Sequence, residues 1–123
     1  MPTNTVPPPS SSTELLFNPR QLRELVLGVP WLAGLEEAEL EALLEASELR
    51  TLKPREWLFR QETPAQWLHV VISGTVRLVR AAGDGRMATI RCVERGGTLG
   101  ELSMVSSAGV YLYSSEALRR TNV

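Results

Sequence analysis

From Leu49 to the end of the chain the apolar residues recur at every second position, and turn residues interrupt them at short intervals. A period of two is the mark of strands with one face buried, and connections this short join antiparallel neighbours rather than parallel ones. Leu68, Val70 and Ile72 then point to one side of a strand, and Val76 and Leu78 continue the apolar face after a Ser73-Gly74 turn. Ala88, Ile90 and Cys92 alternate with Thr89 and Arg91 as another half-buried strand, and Gly83-Asp84-Gly85 ahead of them is a hairpin turn. Without crossover helices these strands make an antiparallel β-roll.

The N-terminal part follows other rules. Residues 1–13 contain four prolines and a run of serines and threonines, a composition that cannot repay the entropy of ordering. Residues 1–17 therefore read as a disordered leader and 18–123 as the folded domain. Asn18-Pro19 starts a helix over about 19–28, with Leu22, Leu25, Val26 and Val29 at helical spacing. A second helix spans about 36–46; Leu40, Leu43 and Leu44 share its face, and its acidic first turn suits the helix dipole. Strands begin at about residue 48. The fold class is mainly β with N-terminal helices.

Composition narrows the function. A chain of 123 residues, 43% of them hydrophobic, is one small domain with a core. Its net charge of -1 gives no general pull towards DNA or anionic lipid. One cysteine, Cys92, excludes an internal disulfide, and one histidine, His69, is too few for a multi-histidine metal site. Apolar runs such as 67–72 are too short to cross a bilayer, and no secretion signal opens the chain, so a cytoplasmic location is expected. Cys92 is read as a small core residue, His69 as a packed or surface side chain facing away from Leu68 and Val70, and Trp31, Trp57 and Trp67 as packing anchors. No acid-base pair or activated nucleophile can be assembled, so the chain is expected not to be an enzyme.

The candidate site is the glycine-rich stretch Arg95-Gly96-Gly97-Thr98-Leu99-Gly100-Glu101-Leu102-Ser103. Glycine lets the backbone approach a ligand, and the residues after it can open a helical turn whose N–H groups favour an anionic oxygen. A carboxylate at Glu101 repels phosphate but accepts hydrogen bonds from sugar hydroxyls. A cation is then needed elsewhere; the arginines downstream are Arg119 and Arg120, followed by the hydroxyl of Thr121.

In order along the chain, Leu58 to Gln61, Leu68 to Val71, Ser73 to Val76 and Gly97 to Glu101 resemble the cyclic-nucleotide-binding sensor domain of the Crp/Fnr transcription-regulator superfamily. The resemblance covers about residues 28–105. It implies a jelly-roll, or double-stranded β-helix, that needs no cofactor and takes cAMP or cGMP as its ligand. A ribose hydroxyl would lie against Glu101, and the cyclic phosphate over the N–H groups of Gly100 to Ser103 and against Arg119 or Arg120.

The chain also departs from the family pattern. The family places its phosphate-binding arginine roughly ten residues after the glutamate, whereas Arg119 and Arg120 follow Glu101 by 18 and 19 residues. They are either ligand contacts or solvated surface charges, and the stretch containing Val110, Tyr111, Leu112 and Tyr113 is an added strand or lid. The family commonly has glycine where this chain has Arg55 and Glu62, which costs about 1 kcal/mol each if a positive φ persists there.

Beyond the cassette the resemblance implies two further strands, a capping and dimerising helix, and a helix-turn-helix domain. A chain ending at Val123 is thus expected to be a roll truncated just after the cassette, lacking the capping helix and the DNA reader. Its partners would be a cyclic nucleotide and either a second copy or a missing C-terminal segment, with no direct DNA binding and no membrane. The functional expectation is a ligand-sensing regulatory domain that controls transcription allosterically in a complete protein. The alternative is a degenerate roll serving as an interaction or dimerisation module.

Overall fold

The computed structural model describes residues 19–105 and 107–123, so the expected leader lies outside the described residues. Helix α1, Pro19–Leu27, has proline in its first turn, where a missing N–H costs nothing, and ends where the Gly28 N–H bonds Glu24 O at 3.1 Å. Helix α2, Glu37–Ala46, is capped by the Glu39 carboxylate, which accepts the Glu36 N–H at 2.9 Å. An Arg23–Glu37 ion pair ties the two helices together. Val29, Leu32 and Leu40 are buried, but Trp31 is 53% exposed and is no anchor; its neighbours Val29 and Leu32 take the inside of that turn.

Among the described residues eight strands follow: β1 Thr51–Leu52, β2 Trp57–Phe59, β3 His69–Val70, β4 Val76–Ala81, β5 Met87–Val93, β6 Thr98–Leu99, β7 Ser114–Ala117 and β8 Thr121–Asn122. All their pairings are antiparallel. One sheet runs β2-β7-β4-β5. The pairs β1-β8 and β3-β6 are joined where Ile72 N donates to Asn122 O at 2.8 Å and Asn122 N to Ser73 O at 3.0 Å, which makes the second layer of the roll. Between the layers lies a core that includes Leu52, Leu58, Phe59, Val71, Val76, Leu78, Leu99, Tyr111 and Tyr113. Two strands thus follow the cassette, where the sequence suggested that the chain stops at the start of the first. β7 sits inside the four-stranded sheet, and β8 closes on β1.

Three expectations about facing are corrected. Around β3, His69 and Val71 are buried and Leu68 and Val70 only half-buried, while Ile72 is buried as expected. The alternation there was assigned to the wrong face because the run 67–72 is apolar almost throughout. In β5, Ala88, Ile90 and Cys92 are exposed. Leu78 pairs with Arg91 and Val79 with Thr89, which leaves Ile90 as a bulge, while Cys92 stands opposite Arg77 on the outer face. Finally, Tyr111 and Tyr113 are core residues, not a lid. The positive φ that the family serves with glycine does persist: φ is 70° at Arg55 and 68° at Glu62.

His69 carries a consequence for stability. Burial strips water from its ring, which stacks on Phe59 at 5.5 Å, and the charge of Arg50 adds to the effect; together they lower its pKa from 6.5 to about 4. Between those values the unfolded chain binds a proton that the folded chain refuses, so stability falls as the pH drops from 6.5 to 4 and levels off below. The loss expected from this group is about 3 kcal/mol. Urea unfolding across that window should show the slope in the native chain and a shallower one in His69→Phe.

Candidate functional site

β6 pairs with β3, His69 opposite Leu99, and so delivers the next residue, Gly100, into the edge of the core with φ +90°. Only glycine suits this position. An added Cβ would lie 3.1 Å from Trp67 O and 3.2 Å from a ring carbon of Tyr111, in a backbone region that L side chains avoid. Two tyrosines hold this corner. The Gly100 N–H donates to the Tyr113 hydroxyl at 3.3 Å, while the Tyr111 hydroxyl donates to Trp67 O at 3.0 Å and accepts the Trp67 N–H at 3.2 Å. Tyr111 also stacks on Phe59 with centroids 3.9 Å apart and planes 11° from parallel. Burial pushes both phenols above their usual pKa, so they remain neutral hydrogen-bonding groups.

The short helix α3, Glu101–Val105, begins at the next residue. One carboxylate oxygen of Glu101, Oε1, lies 3.4 Å from Nη2 of Arg91; the other, Oε2, is buried with no hydrogen-bond partner among the described residues. A buried carboxylate oxygen without a donor is costly, and it marks where a hydroxyl or N–H would be welcome. Leu102 is 57% exposed. Ser103 is buried, and its hydroxyl accepts the Leu112 N–H at 3.0 Å, which holds the chain leading into β7.

The remaining predicted site residues lie elsewhere. Arg119 and Arg120 are exposed in the bend between β7 and β8, and among the described residues they enter no ion pair. The bend sits against the Ser73–Thr75 turn, where Leu118 N donates to Thr75 O at 3.0 Å. Thr121 is fully buried; its hydroxyl accepts the Thr75 N–H at 3.2 Å and reaches Arg119 O at 2.8 Å. Tyr113 precedes β7 and touches the cassette, whereas Arg119 follows β7, a span of up to roughly 20 Å in extended chain. The structure therefore groups Gly100, Glu101, Leu102 and Ser103, and sets Arg119, Arg120 and Thr121 at the other end of β7.

Sequence reasoning missed Arg91 and Tyr111. Arg91 was taken as the outward partner of Ile90 and Cys92, and only the β4–β5 register reveals which way it faces. Tyr111 had a signal: it stands ten residues after Glu101, where the family pattern expects the arginine.

Comparison with known proteins bears on the fold and the family. Residues 49–123 match the cyclic nucleotide-binding domain family. The chain is similar to the anaerobic regulatory protein of Bacillus subtilis, 28% identical over 70% of this chain and 37% of the relative. Among solved structures it is similar to the N-terminal domain of a transcriptional regulator from Streptomyces coelicolor, 28% identical with a TM-score of 0.69, over 80% of this chain and 68% of that one. The regulatory domain of Toxoplasma gondii PKA, crystallised with cAMP, shares the fold with a TM-score of 0.78 at 18% identity, over 84% of this chain and 39% of that one. The chain thus spans less than half the length of the Bacillus and Toxoplasma relatives.

Proposed function

This chain belongs to the cyclic nucleotide-binding domain family, of the type found in Crp/Fnr regulators, and from that premise we propose that it is the input domain of a transcription regulator, receiving a cAMP- or cGMP-like ligand at Glu101. The observation that carries this reading is the buried Oε2 of Glu101, which has no hydrogen-bond partner among the described residues and is the kind of acceptor a ribose hydroxyl satisfies. Occupancy would shift a two-state equilibrium elsewhere in the full regulator, which is how a ligand with differential affinity acts at a distance. The role is one of binding rather than catalysis, and its setting is cytoplasmic. Among the described residues no helix is long and apolar enough to cross a membrane.

Calorimetric titration of the folded chain with cAMP and cGMP tests it. Saturable heat is expected, weakened about tenfold or more in Glu101→Ala, since a hydrogen bond to a charged group contributes about 1.5–3 kcal/mol. A flat titration from a folded sample sinks the reading. The second reading, an interaction module with no small ligand, would then stand. It draws support from the exposed Met87, Ile90 and Leu102 and from the tyrosines that fill the core beside the cassette.

A further inference from the structure

We infer that Arg91 is the cation of this site, and that the ligand it selects carries its phosphate on the carbon next to the hydroxyl that meets Glu101. The inference rests on the ligand-binding reading above and adds a specificity-determining residue to it.

Arg91 stands opposite Leu78 in the β4–β5 register. Residues directly opposite in an antiparallel pair share a face, and Leu78 is buried, so Arg91 is on the interior face of the sheet. Its end is nevertheless open, with the side chain 53% exposed. The guanidinium makes two contacts, to Glu101 Oε1 at 3.4 Å and Thr98 O at 3.5 Å. Both are at the outer limit of a hydrogen bond, so most of its five N–H donors are unspent. Beside it lies Glu101 Oε2, buried and without a donor.

These two side chains form a loose ion pair with complementary needs left over. A lone carboxylate would repel a phosphate, but a carboxylate with a guanidinium alongside has a local charge near zero. The pair then offers an acceptor for a hydroxyl and donors for an anionic oxygen a few ångströms apart. Other cations are committed or remote. Arg95 donates to Ile72 O at 3.1 Å, Arg77 pairs with Glu116 at 2.5 Å, and Arg119 and Arg120 are at the far end of β7.

A ligand satisfying both halves presents a hydroxyl and a phosphate on neighbouring carbons. A 3′,5′-cyclic nucleotide does so through its 2′-hydroxyl, and a nucleoside 3′-monophosphate does the same. A 5′-monophosphate holds the charge several bonds from the 2′- and 3′-hydroxyls, and a nucleoside has no charge to offer.

The test is calorimetry of the whole chain with cAMP, 3′-AMP, 5′-AMP and adenosine, on the native protein and on Arg91→Ala, Arg91→Lys and Arg119→Ala/Arg120→Ala. In the native chain cAMP and 3′-AMP should bind about tenfold or more tighter than 5′-AMP and adenosine, the size of a charge-assisted hydrogen bond. Arg91→Ala should erase that advantage, bringing cAMP and 3′-AMP down to the affinity of adenosine in the same variant. Arg91→Lys should restore part of it, because the charge returns without the planar fork. The inference is overturned if cAMP binds no tighter than adenosine. It is equally overturned if the advantage survives Arg91→Ala and is lost in the Arg119/Arg120 variant. If a folded chain binds none of the four, the ligand reading itself has failed and the inference goes with it.

Discussion

Replacing Phe59 with alanine should cost about 3–5 kcal/mol, the range for removing a buried phenylalanine. Phe59 is buried at the end of β2, and three aromatic rings meet it: Tyr111 at 3.9 Å and 11°, His69 at 5.5 Å and 25°, and Tyr113 tilted at 5.9 Å. The loss therefore includes transfer free energy, a cavity between the layers of the roll, and ring contacts that contribute beyond area. Domains of this size have about 5–15 kcal/mol in total, so the variant would lose a large fraction of its stability. The effect should also reach the cassette, because the ring on which Phe59 stacks is the one whose hydroxyl fixes Trp67 and whose edge abuts Gly100. Denaturant unfolding should show a clear drop in midpoint. A cost below about 1 kcal/mol would mean that the aromatic stack does not hold the two layers together.

How far the structure was legible in the sequence depended on the kind of contact involved. Local signals translated directly: proline at the start of α1, glutamates at the start of α2 and the Gly83-Asp84-Gly85 hairpin all stand where the chain implied. The inward residues Val76 and Leu78 were equally plain, because the charged Arg77 stands between them. Alternation failed where both faces are apolar, as around His69, and where a bulge resets the register, as at Ile90. A one-residue shift sends every later side chain to the other face. That is why Cys92 seemed to face the core and Arg91 to face away from it.

The cassette was legible in part for the same reason. Gly100 and Glu101 announce themselves by spacing, since a positive φ before a polar turn is a local requirement. The partners of this pair are not local. Arg91 reaches Glu101 from a strand ten residues earlier, and Tyr113 reaches the Gly100 N–H from just before β7, with positions set by the β4–β5 and β4–β7 pairings. Arg119 and Arg120 looked suitable by residue type alone, and β7 carries them away. Thr121 likewise looked like a ligand donor, whereas its hydroxyl serves the backbone of Thr75.

The other large effect expected is at Gly74. Its φ is +93°, and an added Cβ would stand 2.4 Å from Thr121 Oγ1, 2.6 Å from Arg120 O and 2.7 Å from Thr121 Cα. Two of those atoms belong to backbone that β8 holds in place, so the clash cannot be relieved by rotating a side chain. Gly74→Ala should cost roughly 1–2 kcal/mol for the left-handed conformation and about 1–3 kcal/mol more for forced movement of β8. Gly85→Ala provides the comparison: φ there is +84°, but nothing lies within 4 Å of the added carbon. It should cost only the conformational part. The difference between the two in denaturant unfolding isolates the close approach of the Ser73–Thr75 turn to β8. That approach lets Asn122 donate to the Ser73 hydroxyl at 2.8 Å and accept from Thr51 at 2.7 Å, which stitches the first and last strands to the middle of the chain. Equal losses in the two variants would show that β8 yields freely. The second layer of the roll would then be held at β1 alone, and Gly74 would be needed only for its turn.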